Sequence, residues 1–239
     1  EHYWALMERF EKAPELTIDV ETTGLRIWHG DRICGIAVYD GEAAAYFPFR
    51  HEIGPNLPLE RLGDFRRLVR GKTIINHNIK FDIEAMWADG FPLPHQVEDT
   101  MLAAHLMNEN EYKLDAQGRP IRRSDGHMAT DYTLSSLAKK YLGQADSKDE
   151  MEQIMKEKGL TKSSLWRLPP ELVAPYAVGD VKLAKALRDF YVPHLKLWRL
   201  YDLWQEVNRY CIITAKMEIR GLQLDRDRIR QYMEEAERM

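Results

Sequence analysis

The chain has 239 residues, enough for one large domain with a full core or for a domain with an extension. An apolar share of 44% and a charged share of 30% are ordinary for a globular protein and exclude a disordered chain as the default. A net charge of −4 excludes nucleic-acid binding by bulk positive charge, and is compatible with an enzyme that concentrates carboxylates around cations while local basic patches meet phosphates.

Residues 2–12 predict a short amphipathic helix and 16–20 a short β-prone run. A largely apolar strand follows over 32–39, Asp40-Gly41 signals a tight turn, and 43–49 form a third strand, so the first three strands make an antiparallel meander. Leu59, Leu62, Phe65, Leu68 and Val69 near one face predict a helix over 57–70, stopped by Gly71. A short buried-type strand over 73–76 leads into a helix over 80–88. Pro92 and Pro94 break the chain, 97–99 read as one more short strand, and a helix runs on to Met107. The polar stretch 108–131 predicts a long surface loop or hairpin, a kind of segment that tends to be functional or mobile. Helices follow over 133–142 and 148–158. Pro169-Pro170 opens another, Pro175 marks its end or a new beginning, and a long helix carries Tyr176 towards Phe190. Helical pattern continues to the end, interrupted at Pro193 and Gly221. Asp225 is the expected N-cap of a last helix from Arg226, whose stripe of Ile229, Tyr232, Met233 and Ala236 should pack back on the helix over 203–217, pair with a second copy, or fray. Early strands and late helices predict an α/β fold with a small mixed sheet flanked by helices.

No apolar run approaches the ~20 residues of a membrane helix, so no membrane partner is expected. The first residues lack the basic flank and apolar core of a secretion signal. Cys34 and Cys211 stand far apart, outside any metal-ligand spacing, and read as buried apolar filler in a reducing compartment. The basic clusters (Arg66, Arg67, Arg70 and Lys72; Arg119, Arg122 and Arg123; Lys139 and Lys140) are phosphate-binding candidates, although each fits a solvated face better.

Three short motifs carry chemistry. In 17–25 (TIDVETTGL), Asp19 and Glu21 alternate with Ile18 and Val20, which puts two carboxylates on one face of a strand. Like charges so close favour a bound cation, although an edge strand with a wet face explains the motif as well. In 76–82 (NHNIKFD), Asn78 is well placed to cap a helix, and Asp82, one turn on, is harder to explain that way. In 176–181 (YAVGDV), Tyr176 and Asp180 share a helix face at i, i+4, as a core tyrosine with a satisfied hydroxyl also would.

In order, residue type and spacing, the three together resemble the DEDD superfamily of 3′–5′ exonucleases in its tyrosine subclass: D-x-E-T-T-G-L at Asp19 to Leu25, N-x-x-x-[FY]-D at Asn78, Phe81 and Asp82, and Y-x-x-x-D at Tyr176 and Asp180. The resemblance covers about residues 14–190 and implies a ribonuclease H-like fold with a mixed five-stranded sheet. It implies two divalent cations, Mg²⁺ or Mn²⁺, held by Asp19, Glu21, Asp82 and Asp180, with Tyr176 orienting the attacking water. It also implies that Thr22, Leu25, Asn78 and Phe81 bind the end of the strand; for Leu25, ordinary core packing is an equal alternative.

The tail from Lys216 to Asp225 (KMEIRGLQLD) is similar to the start of the polymerase region of family A DNA polymerases, and the stretches 99–102 and 132–143 are similar to that group as well. This implies an exonuclease domain over 1–195 and a helical segment over 196–239 leading towards a polymerase region. The implied partners are a single-stranded or frayed 3′ end of DNA and the polymerase region of the same polypeptide, in the cytoplasm of a bacterial or phage-infected cell. An RNA-processing exonuclease of the ribonuclease D type shares all three motifs, but the tail argues against it. A catalytically dead strand-binding scaffold is disfavoured by four intact acidic positions and the tyrosine.

Overall fold

The computed structural model describes residues 2–144 and 148–238. Helix α1 (His2–Lys12) buries Met7 and Phe10. Strands β1 (Glu15–Thr22), β2 (Ile33–Tyr39) and β3 (Ala44–Pro48) form the expected antiparallel meander. Helix α2 (Leu62–Leu68) is shorter than its apolar pattern suggested. Residue 57 precedes a proline, which disfavours the helical region there, Pro58 is extended with ψ of 139°, and 59–61 form a 3₁₀ turn. Strand β4 (Thr73–Asn76), helix α3 (Ile79–Ala88), strand β5 (Gln96–Asp99) and helix α4 (Thr100–Met107) follow. After the 108–131 stretch come α5 (Leu134–Leu142), α6 (Lys148–Glu157), α7 (Pro170–Leu197), α8 (Tyr201–Arg220) and α9 (Arg226–Glu237).

The strands form one sheet in the order β3-β2-β1-β4-β5, with β1–β4 and β4–β5 parallel, so β1 is central. Alternation along β1 gives the sheet two different faces. Ile18 and Val20, with Ile36, Val38 and Phe47, pack with Phe10, Phe65 and Ile83 of α1, α2 and α3. Asp19 and Glu21 stand opposite Ala37 and Gly35 and face the other way, where Ala177 and Val181 of α7 pack on Ala37. Small residues on β2 let α7 lie close to the carboxylates.

Two expectations about proline fail. Helix α7 runs unbroken through Pro175 and Pro193. Both prolines are exposed, as are Glu171 and Asp189, whose carbonyls lose their helical partner, so water can replace the missing bonds. The 108–131 stretch is an exposed, irregular hairpin with antiparallel bridges Tyr112–Thr130, Leu114–Pro120 and Arg122–Met128. At its base, buried Glu111 accepts hydrogen bonds from Asn108, Lys140 and Tyr141.

Helix α8 is sewn into this framework. Trp204 is fully buried and its indole N–H donates to the Asp99 carbonyl at 3.0 Å, while Asn208 Oδ1 accepts from the Asp99 amide at 3.0 Å. Helix α9 begins at Asp225, whose side chain caps it as expected. None of its residues is buried, so its apolar stripe does not pack back on α8. Among the described residues no helix is long and apolar enough to cross a membrane.

Candidate active site

Residues from three elements converge at the C-terminal half of β1. Asp19 and Glu21 project from β1 towards α7. Helix α7 turns Tyr176 and Asp180, one turn apart and both buried, back towards the sheet. The Tyr176 hydroxyl stands beside the Asp180 carboxylate; burial, then the charges of Asp180, Glu21 and Asp19, hold the phenol well above its ordinary pKa. Asp82 comes from α3, beside β1. Its Oδ1 accepts the Val20 amide at 3.0 Å, and burial followed by the charge of Asp19 raises its pKa well above the usual carboxylate range. Asn76, at the end of β4, donates its side-chain amide to Asp19 Oδ1 at 3.1 Å.

A cavity of about 440 Å³ runs from Asp19 and Asp180 past Asn76, His77 and Asn78 to the foot of the 108–131 hairpin at Thr130, Asp131 and Tyr132. His77 ties its walls together: Nδ1 is 2.9 Å from Thr100 Oγ1, and Nε2 is 2.7 Å from the Tyr132 carbonyl and therefore carries a proton.

The substrate-side candidates scatter more widely. Asn78 lines the cavity, but its expected capping role is wrong. Its backbone is left-handed, with φ of 60°, and its side chain makes no cap. Asp99 caps α3 instead, accepting from the amides of Asn78 at 3.0 Å and Ile79 at 3.1 Å, and also from Met101 of α4 at 2.8 Å. Burial pushes this carboxyl up to about 6, against the pull of those backbone donors. Thr22 is buried and donates its hydroxyl to the Gly24 carbonyl at 2.7 Å. Leu25 is 72% exposed, so it is not a core residue. Phe81 is half-buried against the core under the sheet and is not among the residues lining the cavity.

Among the described residues, no three acidic, histidine or cysteine side chains converge as a ready-made chelating centre. Asp19 and Asp82 are instead turned to protein donors, the arrangement that mutual repulsion favours. The donors here are oxygens. His77 has both ring nitrogens engaged, and Cys34 is buried with its thiol pKa raised by burial and then by Glu21.

The sequence profile of a 3′–5′ exonuclease family of family A DNA polymerases matches residues 2–196. The chain belongs to this family. It is 31% identical to the DNA polymerase DpoZ of Acinetobacter phage SH-Ab 15497 in a match that covers 96% of this chain and 34% of that protein. It thus spans about a third of the length of the phage polymerases it matches. Among solved structures, NrnC of Brucella melitensis with bound Mg²⁺ superimposes with a TM-score of 0.60 at 18% identity, covering 88% of each chain. Escherichia coli RNase D, an exoribonuclease involved in structured RNA processing, superimposes with a TM-score of 0.61 at 17% identity, covering 89% of this chain and 48% of that one. These likenesses bear out the ribonuclease H-like fold.

Proposed function

We propose that this chain is a metal-dependent 3′–5′ exonuclease that removes nucleoside 5′-monophosphates from the 3′ end of DNA, as the proofreading part of a family A DNA polymerase. The observation that carries the reading is the gathering of Asp19, Glu21, Asp82, Tyr176 and Asp180 from β1, α3 and α7 around one end of the central strand. The polymerase part of the reading is supported by the tail over 216–225 and by relatives that are DNA polymerases about three times as long.

The all-oxygen donor set fits Mg²⁺ or Mn²⁺, and a cation would offset both the burial of Asp82 and its repulsion by Asp19, the two causes, in that order, that raise its pKa. Mg²⁺ is bound in the NrnC structure. Asp19, Glu21, Asp82 and Asp180 would hold the ions. When bound, the ions acidify the attacking water and offset charge on the leaving oxygen. Tyr176 remains a phenol at neutral pH, so it is not the base. As a neutral phenol its hydroxyl can hydrogen-bond the attacking water and orient it. Thr22, Leu25, Asn78 and Phe81 would grip the terminal nucleotides, with Leu25 offering an exposed apolar edge to the last base. Single-stranded or frayed ends should react faster than paired ones, because the terminal nucleotides must separate to reach a recessed site.

The test is digestion of 5′-labelled single-stranded DNA with Mg²⁺. The reading requires a ladder shortening stepwise from the 3′ end, release of 5′-monophosphates, and no cutting of a closed circular strand. The same sequence as RNA should be degraded more slowly. Preference for RNA would support the ribonuclease D-type alternative, and cutting of the circle would refute an exonuclease.

A further inference from the structure

Tyr46 and His51 take no part in the chemistry above, yet they connect its two halves. Tyr46 on β3 pairs with Ala37 on β2, which pairs with Asp19, so the three share one cross-strand row. The phenol leans into the next row, that of Glu21 and Gly35. A methyl group on Gly35 would stand 1.8 Å from Tyr46 Oη and 2.1 Å from its Cζ, so the ring fills the space beside Glu21 that any larger residue would need. The surroundings agree: burial, then Cys34, Glu21 and Asp19, raise the Tyr46 pKa.

Tyr46 Oη lies 2.7 Å from His51 Nε2, and His51 Nδ1 lies 2.7 Å from the Leu168 carbonyl. A carbonyl only accepts, so Nδ1 carries a proton. Burial lowers the His51 pKa against the pull of the Leu168 carbonyl and Glu171, which keeps the ring neutral, so Nε2 accepts and the Tyr46 hydroxyl donates. Leu168 immediately precedes Pro169-Pro170, where α7 begins. The same joint is held by the Glu52 amide donating to the Trp166 carbonyl at 2.8 Å, and by Gly54, where a methyl group would stand 2.7 Å from Pro170 Cδ.

We infer that Tyr46 and His51 form a partly buried hydrogen-bonded strut that fixes the spacing between β1, with Asp19 and Glu21, and α7, with Tyr176 and Asp180, and so sets the affinity of the site for divalent cations. The inference rests on the metal-dependent reading given above. Both are positioning residues: neither reaches the reacting atoms, and their effect passes through the placement of Glu21 and Asp180. Glu21 belongs to one half and Asp180 to the other, so a loosened joint weakens a cation held by both before it weakens either element alone.

The test is Mn²⁺ binding to the full chain, by titration calorimetry and electron paramagnetic resonance, in wild type, Tyr46→Phe, His51→Leu and the double variant, with Tyr191→Phe as a buried tyrosine outside the site. Exonuclease rate against Mg²⁺ concentration is measured in parallel. Tyr46→Phe keeps the ring over Gly35 and removes only the donor. The expected result is a dissociation constant raised about 10–100-fold in each single variant, the range seen when a partner supporting a metal ligand is lost. The double variant should be no worse than the singles, because one strut is broken once. Tyr191→Phe should bind as wild type, and high Mg²⁺ should restore the rate of Tyr46→Phe. A folded Tyr46→Phe that binds Mn²⁺ as tightly as wild type overturns the inference, whatever happens to His51→Leu. An equal shift in Tyr191→Phe overturns it too, because the effect would then be one of general stability. If wild type binds no Mn²⁺, or Asp19→Ala binds it equally well, the metal reading itself falls and takes the strut's role with it.

Discussion

Trp204 offers a strong test of how the helix beyond α7 supports the site. It is fully buried beside Leu187, Tyr191 and Leu195, and its indole satisfies the carbonyl of Asp99, the residue whose side chain caps both α3 and α4. Trp204→Ala removes a large core side chain and leaves that carbonyl without its partner, at a cost of about 3–5 kcal/mol. That is a large part of the ~5–15 kcal/mol that holds a domain folded. At about 2–4 °C per kcal/mol for a chain of this size, the melting temperature should fall by roughly 6–20 °C. Trp204→Phe keeps most of the packing and loses the hydrogen bond, for about 1–3 kcal/mol. The assay is thermal unfolding followed by circular dichroism, with exonuclease rate measured well below the transition. Both variants should retain activity while folded, because Trp204 touches none of the proposed catalytic groups. A Trp204→Ala protein melting within about 2 °C of wild type would refute the packing argument.

Truncation after Gly221 keeps every buried residue of α8 and removes only α9, which buries none, so stability and exonuclease rate should stay near wild type. Truncation after Leu197 removes Trp204, Asn208, Cys211 and Ala215 together and should prevent stable folding, as gel filtration and circular dichroism would reveal. Tyr176→Phe removes one water contact and keeps all the carboxylates, so single-turnover rates should fall about 10²-fold without loss of Mn²⁺ binding; complete loss of activity with intact metal binding would mean that the hydroxyl does more than orient water. His51 has a folded-state pKa below its unfolded value, so its contribution is full above the unfolded value near 6.5 and is lost as pH falls through that value towards the folded one. Melting curves between pH 5 and 8 should therefore be flatter for His51→Gln than for wild type, and equal pH dependence would contradict the neutral, buried ring.

The carboxylate pair and the tyrosine–aspartate pair were legible in the sequence because both rest on local periodicity. Residues two apart share a strand face, and residues four apart share a helix face. The mixed sheet was legible from apolar runs and turn residues for the same reason. Everything that depended on which strands lie side by side was not. Asp99 reads only as the end of the short strand over 97–99, and its grip on α3 exists because β4 and β5 pair in parallel. Tyr46 and His51 read as a strand aromatic and a loop histidine. Their connection to Glu21 and to the start of α7 depends on the β1–β2–β3 register and on a contact 117 residues away in sequence. Pro175 and Pro193 misled because proline's cost in a helix depends on whether the orphaned carbonyl meets water, which the local sequence does not specify.

The central claim is that Asp19 and its neighbours hold divalent cations that cut the terminal phosphodiester. The most direct measurement is release of label from 3′-labelled single-stranded DNA by wild type, Asp19→Ala and Asp180→Ala, with Mg²⁺ and with a chelator. Wild type should release labelled mononucleotide with Mg²⁺ and none with the chelator. Both variants should be folded, at least as thermostable as wild type without metal because carboxylate repulsion is relieved, and inactive at any Mg²⁺ concentration. Near wild-type release by folded Asp19→Ala, or undiminished release by wild type in the chelator, would contradict the account.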